Sequence, residues 1–158
     1  NWEKYLIQHS KKYLILRFGK VFGNDLRDGT LFTDIVRKLL NNVDQKLSTD
    51  QNMTPIHIDD LVNFIRFSIV QRLEGILHLA STYPLTRFDV ARQAKKYFKI
   101  ENANIYPCLI NSLGLLEKRV VKNHLNIQKF INITGFSPKP VSHFLRLIAE
   151  YNSIGGSR

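Results

Sequence analysis

Short apolar runs alternate along this chain with longer stretches whose apolar residues recur every three or four positions. Trp2, Tyr5 and Leu6 sit at helical spacing, so residues 2–12 read as the end of a helix. Tyr13-Leu14-Ile15-Leu16-Arg17-Phe18 is too short for a buried helix and predicts a strand covered on both faces, as in a parallel sheet. Gly19 and Gly23 then mark a loop where backbone can approach a ligand closely, and 24–29 is a polar loop. Thr30 to Asn41 is predicted helical, with Leu31, Ile35 and Leu39 on one face. Residues 47–58 hold a turn and short extended pieces, where Pro55 argues against a helix.

The next helix takes Asp59 or Asp60 as its cap and presents Leu61, Ile65, Ile69 and Leu73, with Gly75 placed to end it. Ile76 to Ala80 is a second buried strand. Thr86 and Asp89 form a capping box, with Asp in the usual Glu place, before a helix carrying Phe88, Ala91, Ala94 and Phe98. Ile105 to Pro107 is extended. Asn126 caps a short helix that stops at Gly135, and Ser142 caps a last helix running to about Tyr151. The tail 152–158 is expected to fray.

Strands alternating with helices define an α/β protein. The strands are too few for a complete doubly wound sheet, which points to part of a larger one. With 158 residues, 44% of them hydrophobic and 23% charged, the chain suits a single soluble domain or a large piece of one. Its net charge of +10 favours anionic partners, nucleotides and phosphorylated sugars among them. The charges are scattered in no block of five and accompany no nucleic-acid motif, so a nucleic-acid partner is not expected. The lone Cys108 forms no intrachain disulfide, which fits a reducing cytoplasm. No apolar run reaches membrane-spanning length, so no membrane partner is expected. A start at Asn1 rather than Met, opening abruptly on a helix, gives the expectation of further sequence upstream.

Motifs that carry chemistry by themselves are missing. There is no Gly-rich dinucleotide fingerprint, because the Gly19 and Gly23 pair has the wrong spacing and opens no helix. His9, His57, His78, His124 and His143 have no metal-ligand spacing, and Cys108 joins none of them. No serine occupies a nucleophile elbow. Neither a metal site nor a catalytic residue is therefore assigned. Thr30 and Phe32 lie near a helix N-terminus, a natural place for a diphosphate, or else they are a cap and a core aromatic. Asp59 and Asp60, adjacent on a helix, do not face each other and read as capping residues.

Several segments, in order, carry a family resemblance. Leu16-Arg17-Phe18-Gly19-Lys20-Val21-Phe22-Gly23 resembles an L-R-x-x-x-V-Y-G strand and loop, and Asp50 to Pro55 a D-Q-x-x-S/T-P segment. Ile56 to Leu61 resembles a D-L-A helix start, and Gly75 to Ala80 a G-x-Y-H-L strand. Arg119 to Asn126 resembles a late R-P-x-N-S-x-L-D segment, and Gly135-Phe136 an L-G-F end. Together these are similar to the C-terminal half of the extended short-chain dehydrogenase/reductase family, in its dTDP-4-dehydrorhamnose reductase-like branch. The match covers roughly Trp2 to Ile148.

The resemblance implies the C-terminal part of a Rossmann-like fold, a few parallel strands with flanking helices and a small substrate-binding region, spanning 1–158. Glu3 fits the glutamate that follows the family's catalytic Y-x-x-x-K, which places the lysine, the tyrosine and the nucleotide-binding half before Asn1. The parent would use NADP or NAD to reduce a 4-keto nucleotide sugar, with a homodimer as its expected assembly. The chain alone would bind no cofactor and show no turnover. Lys20 stands where the family often places a substrate contact, though the rhamnose reductases usually carry Trp there. A lysine instead favours a phosphate, or it is a solvated loop residue. Arg17 either faces the ligand or pairs with a sheet-side carboxylate, and Arg119 reaches toward the substrate pocket. Other readings are an epimerase or dehydratase of the same superfamily, and a non-catalytic regulatory homologue that binds a partner enzyme.

Overall fold

The computed structural model describes residues 2–114, 116 and 119–155. Helix α1 (Trp2–His9) leads into β1 (Leu14–Phe18), which passes through Gly19-Lys20 into β2 (Val21–Phe22). Then come α2 (Leu31–Leu40), β3 (Gln45–Ser48), β4 (Asn52–Met53), β5 (Ile56–His57) and α3 (Ile58–Val70). They are followed by β6 (Gly75–Leu79), α4 (Arg87–Phe98), β7 (Ile105–Cys108), a 3₁₀ turn (Ile110–Leu113), β8 (Lys122–Asn123), α5 (Gln128–Thr134) and α6 (Val141–Gly155).

Among the described residues the four strand pairs are parallel, and an isolated antiparallel bridge joins Met53 to Leu85. β1 lies on β6 in register from Leu14 opposite Gly75 to Phe18 opposite Leu79. β2 pairs with β5, β3 with β7 and β4 with β8. Parallel neighbours need crossovers, and the intervening helices supply them. The predicted α/β class is therefore the observed one.

Two apolar clusters hold these pairs. One joins Phe22, Phe32, Ile35, Val36 and Leu39 to Val90, Ala94, Phe144 and Leu145, so α2, α4 and α6 pack together. The other gathers Ile56, Leu61, Phe64, Leu77, Leu79 and Phe130, seating α3 and α5 against β6.

Local signals set several helix ends. Thr86 and Asp89 make the full reciprocal capping box of α4. The cap of α5 is Ile127, without a side-chain cap bond, rather than the expected Asn126, whose Oδ1 accepts the Gln128 N–H at 2.9 Å just ahead of the helix; α5 stops at Gly135 in the left-handed conformation, φ +67°.

Four further expectations need correction. The cap of α3 is His57, whose Nδ1 accepts the Asp59 N–H at 3.2 Å, so neither Asp59 nor Asp60 fills that role. Asp60 is instead buried and accepts the Lys139 N–H at 2.9 Å, tying α3 to the segment before α6. The inward face of α3 is Leu61, Phe64 and Ser68, while Ile69 is 69% exposed. Apolar residues surround this helix, so their spacing alone does not select the buried face. α3 ends at Val70, and Gly75, at φ +90°, opens β6 rather than closing the helix. Lastly, Ser142 lies inside the first turn of α6, which starts at Val141, and its backbone continues to Gly155. Residues 156–158 of the expected frayed tail lie outside the described residues.

Candidate functional site

In open α/β sheets ligands gather outside the carboxyl ends of the strands. Here β1 ends at Phe18, and Gly19 carries the chain between two partners. Its N–H donates to Leu79 O at 3.1 Å, while the next carbonyl, of Lys20, accepts the Ile56 N–H at 2.9 Å. The backbone of Lys20 is thus fixed from both sides. Its side chain is exposed and joins no ion pair among the described residues.

The close approach expected at Gly19 is real, but the neighbour is protein. A Cβ there would lie 1.7 Å from the carbonyl oxygen of Thr54. At Gly23 a Cβ would meet the Asp28 carboxylate at 3.4 Å. Neither glycine leaves a backbone cradle for a pyrophosphate, and β1 runs into a strand rather than a helix.

Arg17, one residue inside the strand end, is committed to a carboxylate. Its Nε and Nη2 donate to the two oxygens of Glu3 at 3.1 and 2.5 Å, and Nη1 lies 3.5 Å from His78 Nε2. The hydrogen bond from Arg17 holds the Glu3 carboxyl below its usual range. The His78 ring also bonds the Asn126 carbonyl through Nδ1, at 3.2 Å.

Thr30 caps α2, its hydroxyl facing the Thr33 N–H at 3.4 Å. The anion placed at this helix start is Asp28, which accepts the Thr30 N–H at 2.8 Å and the Thr33 hydroxyl. Burial opposes the charge on Asp28, but the bonds from Thr33, Thr30 and the Gly23 backbone outweigh it and lower its pKa. Phe32 is 2% exposed and stacks on Phe22 with ring centroids 4.7 Å apart, which makes it a core residue.

Behind this loop, His57 is buried against Phe144, stacked at 3.8 Å, and its Nε2 bonds Asn24 Oδ1 at 3.0 Å. Burial pushes its pKa down, against the opposing pull of Asp59 and Asp60. An open cavity of about 780 Å³ lies between loop residues 24–27 and α6, and none of the sequence-nominated residues lines it.

Arg119 is exposed, on the segment between the 3₁₀ turn and β8. Near it stands Arg87, the first residue of α4, which the sequence did not single out. Inside a capping box it reads as an ordinary first-turn charge. Only the packing of α4 across β3 and β7 shows that it is partly buried. Burial, then the charge of Arg119, pushes the Arg87 guanidinium below its usual pKa, while Cys108 acts the other way. Among the described residues no three His, Cys, Asp or Glu side chains gather as a metal site, and no helix is long and apolar enough to cross a membrane.

This architecture is that of extended short-chain dehydrogenases/reductases. Residues 1–152 match the family model described as the RmlD substrate binding domain, and the chain belongs to that family. Among solved structures it resembles a dTDP-4-dehydrorhamnose reductase from Clostridium acetobutylicum, with a TM-score of 0.81 and 17% identity over 96% of this chain and 52% of that one. A dTDP-4-dehydrorhamnose reductase from Yersinia enterocolitica gives 0.75 and 23% over 87% of this chain and 48% of that one. The UDP-glucose 4-epimerase of Thermotoga maritima, solved with UDP-glucose, gives 0.69 and 17% over 99% and 50%. The chain thus spans about half the length of these structures. Curated proteins give no match by sequence.

Proposed function

We propose that this chain is the nucleotide-sugar-binding part of an NAD(P)H-dependent oxidoreductase that reduces a 4-keto nucleotide sugar. The observation that carries this reading is the match of residues 1–152 to a substrate binding domain. Its chemistry is consistent with the site. Lys20 holds an exposed ammonium at the carboxyl end of β1, and Arg119 adds a second exposed cation. Two cations suit a diphosphate, lysine as a point charge and arginine as a planar fork.

In this reading the nicotinamide cofactor supplies the hydride when bound to the remainder of the parent. The general acid also lies outside these residues. The work of this chain is to bind the nucleotide diphosphate and so orient the sugar. Arg17, held by Glu3, keeps β1 seated on α1 rather than touching the ligand.

Calorimetric titration of the chain with dTDP-glucose, UDP-glucose, glucose and NADPH tests the proposal. Saturable binding of a nucleotide sugar, with none of glucose or NADPH, is the expected result. Binding of NADPH with no binding of any nucleotide sugar would overturn it.

A further inference from the structure

The open cavity of about 780 Å³ beside α6 has no role in binding the nucleotide sugar as proposed above. Its size is that of a small-molecule pocket. Leu26 walls it from the loop after β2, and Leu147 and Ile148 wall it from α6. Tyr151, which also lines it, is 77% exposed and offers an aromatic ring.

The cavity is held in shape from beneath. The buried His57 stacks on Phe144 at 3.8 Å, bonds Asn24 Oδ1 at 3.0 Å and accepts the Asp59 N–H at 3.2 Å. Phe144, Asn24 and Asp59 all line the cavity. One ring thus ties together the loop, the start of α3 and α6. A site already fixed in the unliganded protein costs less to fill than one that must first be ordered.

Three charged side chains line the cavity, and two of them cancel. Arg27 Nε and Nη2 donate to the two Asp25 carboxylate oxygens at 3.0 and 3.2 Å. Asp59 remains. Its only ion-pair contact among the described residues is His57 Nδ1 at 3.5 Å. That nitrogen accepts the Asp59 N–H and so carries no proton. The cavity therefore holds one uncompensated negative charge on a chain whose net charge is +10. Positive charge farther away than about 8 Å is largely screened at physiological salt, so the near carboxylate decides which ligand is favoured.

We propose that this cavity is a binding site for a small organic cation with an apolar body, an aryl- or alkylammonium. Its ammonium sits on the Asp59 carboxylate, and its apolar part lies against Leu26, Leu147 and Ile148. The Tyr151 ring adds its own attraction for a cation. The site is independent of the nucleotide-sugar reading and stands or falls separately from it.

The test titrates the ¹⁵N-labelled chain with phenethylammonium, and with phenethyl alcohol and hydrocinnamate as neutral and anionic counterparts. Wild type, Asp59→Asn, Leu147→Trp and Tyr151→Ala are compared. Saturable amide shifts should appear at residues 24–27, at Asp59 and along α6. The cation should bind about fivefold more tightly than the alcohol, the scale of one half-exposed charge pair, and the anion more weakly still. Asp59→Asn should remove that preference, because its backbone N–H still reaches His57 and the cavity keeps its shape. Leu147→Trp, which fills the cavity, should abolish the shifts. Tyr151→Ala should weaken the cation more than the alcohol. Should Leu147→Trp fail to fold, Asp59→Asn and Tyr151→Ala decide, since both side chains are largely exposed. Equal affinity for cation, alcohol and anion, or no saturable shifts in wild type, would overturn the proposal. Displacement of phenethylammonium by dTDP-glucose would also overturn it, by giving the cavity to the nucleotide sugar.

Discussion

Gly19 and Thr54 meet so closely that a single added carbon at Gly19 would lie 1.7 Å from the Thr54 carbonyl oxygen. That contact locks the turn after β1 onto the segment before β5, and with it the backbone of Lys20. The obstacle is backbone on both sides, so it has no rotamer by which to escape.

Gly19→Ala should therefore destabilise the chain by on the order of 3 kcal/mol, as overpacking at a rigid site does. For a domain of this size the thermal midpoint should fall by roughly 6–12 °C. Scanning calorimetry of the two proteins checks it. A drop within error would show that the approach is not obligatory.

His57 makes stability depend on pH. Burial lowers its folded pKa below the ordinary 6.5, so below that value the unfolded chain binds more protons than the folded one. The contribution is complete above about 6.5 and is lost as pH falls through the depressed folded value. His57→Phe preserves the stack on Phe144 but removes the cap. It should cost about 1 kcal/mol at pH 7.5 and flatten this part of the profile. Urea midpoints at pH 7.5 and pH 5 for both proteins measure it. Equal slopes would assign the pH dependence to other groups.

On α3, Val62, Ile69 and Val70 are 54%, 69% and 69% exposed, and on α1 Trp2 is 87% exposed. Apolar side chains grouped on helix faces in this way favour association. Sedimentation velocity should show concentration-dependent self-association that Ile69→Lys with Val70→Lys reduces. A clean monomer at every concentration would contradict this.

The elements that were legible in the sequence are those with local causes. The capping box of Thr86 and Asp89 and the left-handed stop at Gly135 act within a few residues, and both are where their patterns place them. The apolar runs of β1 and β6 are strands for the same reason, but the expected cover on both faces is incomplete: only Ile15 of β1 and Leu77 and Leu79 of β6 are buried, and Phe18 is 48% exposed. By contrast, β8 is Lys122-Asn123, wholly exposed, and exists because Asn52-Met53 lies alongside it. No local pattern encodes such a pairing. The expected cap at Asp59 or Asp60 failed because a histidine ring, held by Asn24 and Phe144, does the same work.

The site divides in the same way. Lys20 was singled out because it follows a strand end directly, and the structure places it there with its side chain exposed. Arg17 carried two readings in the sequence, and the structure gives it to Glu3. Phe32 fits a helix start and a core equally well as a residue type, and the stack on Phe22 places it in the core. The partial burial of Arg87 was invisible because α4 packs on strands about forty residues before it and about twenty after it in the chain.

The most direct test of the nucleotide-sugar account is a map of contacts on the ¹⁵N-labelled chain during titration with dTDP-glucose, in wild type and Lys20→Ala at low and moderate salt. The account predicts saturable amide shifts concentrated at Gly19, Lys20, the start of α4 and Arg119. Lys20→Ala should weaken affinity about tenfold or more, as loss of a charged contact worth roughly 1.5–3 kcal/mol requires, with a smaller difference at moderate salt. Shifts confined to the cavity beside α6, or no saturable shifts at any concentration, would contradict it.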